Sequence, residues 1–147
     1  MASEKRRSIF MDKLSDFDAF ASGGEAAFAR RGGWRAFFRS RIGNAFDGRI
    51  IVEIGCSNAA SLAAMAAKRA ASGFIGIDWK AKQIFLGAQH VAALGQPNIA
   101  LLCARAQDLR RIFEDGEVDE MLTFHPEPWR LTPLRTPPPD PRPTARR

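Results

Sequence analysis

At 147 residues, with 46% hydrophobic and 26% charged side chains, the chain has the size and balance of one globular domain. No apolar stretch is long enough to span a bilayer as a helix, and Ser8-Ile9-Phe10-Met11, behind a basic start, is too short for the core of a signal peptide. The net charge of +6 is uneven: residues 21–49 carry six Arg against two acids and residues 130–147 five Arg against one Asp, whereas 50–129 carries seven basic side chains against nine acidic ones.

Along the chain, residues 1–11 are expected to be frayed. Residues 12–20 read as a short helix that Ser22-Gly23-Gly24 breaks, and 25–42 as a second helix with a weak point at Gly32-Gly33. That helix carries Arg30, Arg31, Arg35, Arg39 and Arg41 together with Trp34, Phe37 and Phe38. Two readings stand side by side: a solvated face, which is the commoner one, or phosphate contacts, with Arg planes and aromatic rings suited to stacking on RNA bases. Four apolar runs follow as strands, at 50–54, 74–77, 98–103 and 118–124. Helices are expected between them at 60–71, at 80–94 with Gly95 as its C-cap, and at 108–113 with Asp108 as its N-cap. Strands alternating with helices imply right-handed crossovers and a mostly parallel sheet. Cys56 and Cys103 end or follow buried strands; free thiols in a reducing cytoplasm are expected, with a disulfide as the lesser alternative. No Cys/His cluster has metal-ligand spacing, and His90 inside the second crossover helix reads as a surface or packing residue.

The segment Val52-Glu53-Ile54-Gly55-Cys56-Ser57-Asn58-Ala59 carries the most chemistry. An apolar strand stops at a glycine, small residues follow, and an Ala-rich helix begins: a strand, a tight turn and a helix N-terminus, where α/β folds hold nucleotides. The next strand, Phe74-Ile75-Gly76-Ile77, ends in Asp78. An acid at that tip suits a ribose, because a carboxylate can accept hydrogen bonds from both hydroxyls.

The pattern Glu53-x-Gly55-x-Ser57-x-Ala59 resembles motif I of the class I S-adenosylmethionine-dependent methyltransferases, E-x-G-x-G-x-G, with Ser57 and Ala59 at the second and third glycine positions. Both are small, so the pocket is expected to be narrowed but not filled. A second stretch, His125-Pro126-Glu127-Pro128-Trp129, is similar to the F-P-D-P-W element of the tRNA (guanine-N7)-methyltransferases, with His for Phe and Glu for Asp. Glu-Ile-Gly-Cys at 53–56, Phe-Ile-Gly-Ile-Asp at 74–78 and the run 98–106 look similar to the same family, so the resemblance covers residues 48–129. It implies S-adenosylmethionine held by Glu53, Gly55, Ser57, Ala59, Asp78 and Ala106. It also implies a tRNA guanine held by His125, Pro126 and Trp129, with Arg30, Arg31 and Arg35 on the RNA. Glu127 is the residue expected at the reacting base, orienting it and not abstracting a proton, because the donor sulfonium is already activated. Read without the family, Pro126 to Trp129 is a rigid turn with Trp129 as a packed lid, His125 a hinge residue, and Asp108 a helix cap instead of a contact to the adenine amine.

The resemblance implies a partial Rossmann-like parallel sheet in the order third-second-first-fourth. It divides the chain into a basic helical segment at 1–47, a cofactor domain at 48–129 and a Pro/Arg-rich tail at 130–147. Most of the nine prolines fall after residue 125, so the tail is expected to be extended or disordered. Its composition suits a GC-rich gene read in a shifted frame. Four strands in place of the family's seven imply a shortened member, whose fourth strand is an open edge suited to pairing with a second copy. The expected function divides accordingly. One expectation is an active tRNA (guanine-N7)-methyltransferase; the other is a non-catalytic relic or module that binds cofactor or RNA, and with half the usual scaffold missing turnover is expected to be feeble or absent. A small-molecule methyltransferase is disfavoured by the P-x-P-W element.

Overall fold

The computed structural model describes residues 8–124. In chain order the elements are α1 (Ile9–Lys13), β1 (Ala21–Gly23), α2 (Trp34–Ile42), β2 (Ile50–Ile54), α3 (Ala60–Lys68), β3 (Gly73–Asp78), α4 (Ala81–Leu94), β4 (Ile99–Cys103), α5 (Leu109–Ile112) and β5 (Glu120–Leu122), with short 3-10 turns between several of them. All strand pairs are parallel, in the order β1-β4-β3-β2-β5.

The apolar runs form strands because both faces of the sheet are covered, so neighbouring residues are buried on opposite sides. Ile51, Phe74, Ile99 and Leu101 pack with Leu62, Ala66, Ile84, Ala88 and Val91 of α3 and α4. Ile50, Val52, Ile75, Ile77 and Leu102 pack on the other face with Trp34 and Phe38 of α2 and Ile112 of α5. The result is a Rossmann-like three-layer α/β domain.

The expected order of four strands stands within this sheet, but it is incomplete. Ala21-Ser22-Gly23, which overlaps the break expected from sequence at Ser22-Gly23-Gly24, is a strand along the outer edge of β4, in register Ala21↔Leu101, Ser22↔Leu102 and Gly23↔Cys103. Small side chains admit it: a Cβ on Gly23 would lie 2.6 Å from Met11 Sδ. Two helix readings also change. α1 begins at Ile9, inside the stretch expected to fray, because Ser8 Oγ accepts from Phe10 N at 3.3 Å. The Arg-rich helix is broken, α2 starting only at Trp34 after a 3-10 turn at Gly24–Phe28.

α2 has no side-chain cap of its own, since its N-cap is Gly33. The cap comes from far along the chain. Glu117, 5% exposed, accepts from Trp34 N at 2.9 Å through Oε1 and from Gly32 N at 3.0 Å and Glu114 N at 2.9 Å through Oε2. Trp34 Nε1 donates to Ile112 O at 3.0 Å. Three amides around the start of α2 thus converge on one buried carboxylate, which fastens α2 and α5 together beneath the sheet.

Candidate functional site

The five strands end on one edge, and there β2 passes into the turn 55–59. Gly55 has φ +78°, and its amide and that of Cys56 both donate to Ile77 O, at 2.7 and 3.1 Å. Ser57 and Ala59 take φ of +52° and +63°, left-handed values that cost an L-residue about 1–2 kcal/mol. The two positions where the motif has glycine therefore keep the glycine conformation. Ala59 packs into the core at the start of α3. Its side chain is fully buried and meets α4 at Gly87, where an added Cβ would lie 3.2 Å from Ala59 Cβ and 3.1 Å from Asn58 O. A glycine inside α4 is thus explained by the close approach of the turn.

Asp78 closes the turn from β3. Its Oδ2 accepts from Ser57 N and its Oδ1 from Lys80 N, both at 2.9 Å. Each oxygen keeps a further lone pair, and the residue is 9% exposed. Ser57 Oγ reaches Gln83 Oε1 at 3.4 Å. Asn58 Oδ1 accepts from Ala60 N at 3.2 Å, so the first amide of α3 is satisfied locally.

Glu53 lies between Gly76 of β3 and Leu122 of β5. It is 3% exposed, and its Oε2 has no hydrogen-bond partner among the described residues. Burial pushes its carboxyl above the ordinary value. Among the described residues its charge acts on the Cys56 thiol. Asp78 stands at the tip of β3, in register with Cys103, and its charge acts on both Cys56 and Cys103. Glu120 on β5 is taken up by Arg49 at 2.8 Å and Arg69 at 3.1 Å. The thiols are free and buried. Burial, with Asp78 and Glu53 nearby, pushes Cys56 well up, and burial with Asp78 pushes Cys103 up to about 11. Both are therefore protonated and unreactive at neutral pH.

Not every residue read from sequence comes to this edge. Ala106 does: it is exposed in the 3-10 turn Ala106–Asp108 that follows β4. Asp108 makes no side-chain cap to α5 and instead meets Arg111 at 3.8 Å. His90 is exposed on α4. Arg31 and Arg35 are committed elsewhere: Arg31 Nε donates to Arg110 O at 2.9 Å and its Nη1 meets Glu114 at 3.3 Å. Arg35 donates to Gly48 O at 3.1 Å and Gly116 O at 3.3 Å, in the loops that lead into β2 and β5. Arg30 stacks on Phe37. These three arginines sit with α2, away from the turn. His125, Pro126, Glu127 and Trp129 lie outside the described residues, as does the tail. Trp79, 64% exposed directly after Asp78, was not singled out from sequence although its place in the chain marks it. Among the described residues no helix is long and apolar enough to cross a membrane.

A parallel sheet with a left-handed turn after one strand and an acid at the tip of the next is the frame of a Rossmann-like α/β domain. Residues 47–132 match the model of a family described as "Putative methyltransferase", and the chain belongs to it. A tRNA (guanine-N(7)-)-methyltransferase of Streptococcus pneumoniae (strain Hungary19A-6) is 35% identical over 95 residues, covering 65% of this chain and 44% of that protein. The protein of the same name from Cytophaga hutchinsonii is 29% identical over 126 residues, covering 86% of this chain and 50% of its own length. The chain thus spans about half the length of these curated relatives. A solved structure, "Structure of an antibiotic related Methyltransferase", aligns at 19% identity and a TM-score of 0.49, over 63% of this chain and 46% of that one.

Proposed function

We propose that the chain binds S-adenosylmethionine at the turn 55–59 and transfers its methyl group to N7 of a tRNA guanine. The observation that carries the cofactor assignment is a buried oxygen of Glu53, without a partner among the described residues, beside a turn already in the glycine conformation. A buried carboxylate without a partner costs stability, and a cationic ligand group such as the methionine ammonium would relieve that cost. Asp78 holds the turn closed and offers its remaining lone pairs to the ribose hydroxyls. The backbone at Gly55, Ser57 and Ala59 borders the ligand, and Ala106 bounds the adenine side. When bound, S-adenosylmethionine supplies a methyl group on an electrophilic sulfonium. The task left to the protein is then to position the guanine ring, which in this reading falls to His125, Pro126, Glu127 and Trp129.

Support for the tRNA substrate comes from the names of the relatives and from the basic flanks of the sequence. Residues 48–129 form the cofactor unit in this reading, and a tRNA substrate places the chain in the cytoplasm. A second reading, a cofactor- or RNA-binding module without turnover, is favoured by one observation. Among the described residues β5 is three residues long and pairs on one side only, an edge also suited to a second copy. Incubation with unmodified tRNA and donor labelled on the methyl group separates the readings. Label recovered in 7-methylguanine supports the enzyme; donor binding without label in RNA supports the module.

A further inference from the structure

Of the arginines among the described residues, Arg31, Arg35, Arg49, Arg69 and Arg111 each face a carboxylate within 4 Å. Arg30, Arg39, Arg41, Arg105 and Arg110 do not, and of these Arg30 and Arg41 meet the same ring. The Arg30 Cζ stands 4.4 Å from the Phe37 centroid and the Arg41 Cζ 5.6 Å from the same centroid, which places the two guanidinium carbons within about 10 Å of each other. Arg41 is also 5.7 Å from the Phe20 ring and fixes its chain by donating from Nε to Pro97 O at 2.9 Å. Its Nη1 and Nη2 remain to donate, and Arg30 donates no hydrogen bond to any described residue. Both side chains are half-buried. Burial, and then the neighbouring Arg30 charge, lower the Arg41 guanidinium below its ordinary value, and no carboxylate among the described residues is paired with either arginine.

We propose that Arg30 and Arg41, held against Phe37, form a phosphate-binding site that takes a phosphodiester group of the RNA substrate. The RNA source rests on the functional reading above; the phosphate chemistry does not. Planar guanidinium groups on an aromatic ring present donors in a fixed direction, and phosphate oxygens match that geometry. The site is remote from the reacting end. Phe20 precedes β1 and Pro97 precedes β4, so the pair sits by the starting ends of these strands, whereas the turn 55–59 lies at the finishing ends. A five-residue strand spans roughly 16 Å, so an RNA touching both places must reach across the sheet. The contact therefore holds the body of the RNA and not the base.

The test uses the full chain labelled with 15N at arginine. Nε–Hε resonances are assigned with R30K and R41K, and inorganic phosphate and an unmodified tRNA transcript serve as separate probes. Both probes are expected to shift the Arg30 and Arg41 signals, tRNA at far lower concentration. In tRNA binding measured against salt, R30Q/R41Q should lower the log–log slope by about two, while R111Q, whose arginine is paired with Glu25, should leave it unchanged. Silence of both signals with both probes overturns the site. If phosphate shifts them but the double variant leaves the tRNA slope unchanged, the RNA source is overturned and the site is one for free phosphate. An R111Q effect as large as that of the double variant also overturns the proposal. The wild-type spectra decide if the double variant does not fold. A titration of the same sample with S-adenosylmethionine reads the cofactor assignment separately, so either can fail alone.

Discussion

Glu117→Ala should be among the most damaging single changes outside the apolar core. The carboxylate accepts from three backbone amides, of Gly32, Trp34 and Glu114, at 2.9–3.0 Å, and is 5% exposed. Hydrogen bonds to a charged group contribute about 1.5–3 kcal/mol each, and donors stranded in the interior keep their desolvation cost. Three such bonds are not additive, because the freed start of α2 can loosen toward water. A net loss of about 3–5 kcal/mol follows, which for a chain of this length lowers the melting temperature by roughly 10–15 °C. Glu117→Gln keeps one acceptor oxygen, which can serve the Gly32 and Glu114 amides, but turns its own amide toward the Trp34 donor, so it should cost roughly 1–3 kcal/mol. Glu114→Ala removes only an exposed ion pair with Arg31 and should stay within about 0.5 kcal/mol of wild type. Urea unfolding of the four proteins, with a common slope, measures all of this. A Glu117→Ala variant within about 1 kcal/mol of wild type would refute the reasoning that α2 depends on this distant cap.

Three further outcomes are expected. Because burial raises the Glu53 carboxyl, the folded chain keeps that proton at pH values where the unfolded chain has released it. Its contribution is full in acid and is lost as pH rises from about 4.5 through the folded titration. Glu53→Gln should therefore raise the melting temperature at neutral pH and flatten its decline, while weakening S-adenosylmethionine binding about tenfold; a lower melting temperature would count against a partnerless carboxyl. Ser57→Gly releases a left-handed serine at φ +52° and should stabilise by about 1 kcal/mol; calorimetry showing destabilisation would mean that the serine side chain supports the turn. Gly87→Ala should improve α4 locally but press on Asn58 and Ala59, so donor affinity should fall and partly recover in Gly87→Ala/Ala59→Gly, a coupling read by a double-mutant cycle.

The central sheet was legible because β2, β3 and β4 are buried on both faces, and such strands appear as continuous apolar runs. α4 and its cap were legible for the same reason: Ile84, Ala88 and Val91 share one face, and Gly95 takes φ +63°. β1 was not, since Ala-Ser-Gly carries no strand signal and is held by pairing with a strand eighty residues away. The turn was readable as a motif, but not the fact that Ser57 and Ala59 adopt the glycine conformation, nor that Gly87 makes room for Ala59. Charges were the least legible. In sequence Arg30, Arg31 and Arg35 are three similar residues of one basic stretch. In the fold Arg31 and Arg35 brace backbone carbonyls, and Arg30 is without a carboxylate among the described residues. Glu117 gave no signal because its partners are backbone amides, two of them more than eighty residues away.

Isothermal titration of S-adenosylmethionine into wild type, Glu53→Gln and Asp78→Asn tests the cofactor assignment most directly. Saturable binding at one site is expected for wild type, with affinity lowered about tenfold in each variant, the loss of one charge-assisted contact. Equal affinity in all three, or no binding to folded wild type, would contradict the assignment of the turn 55–59 and its two acids as a methyl-donor site.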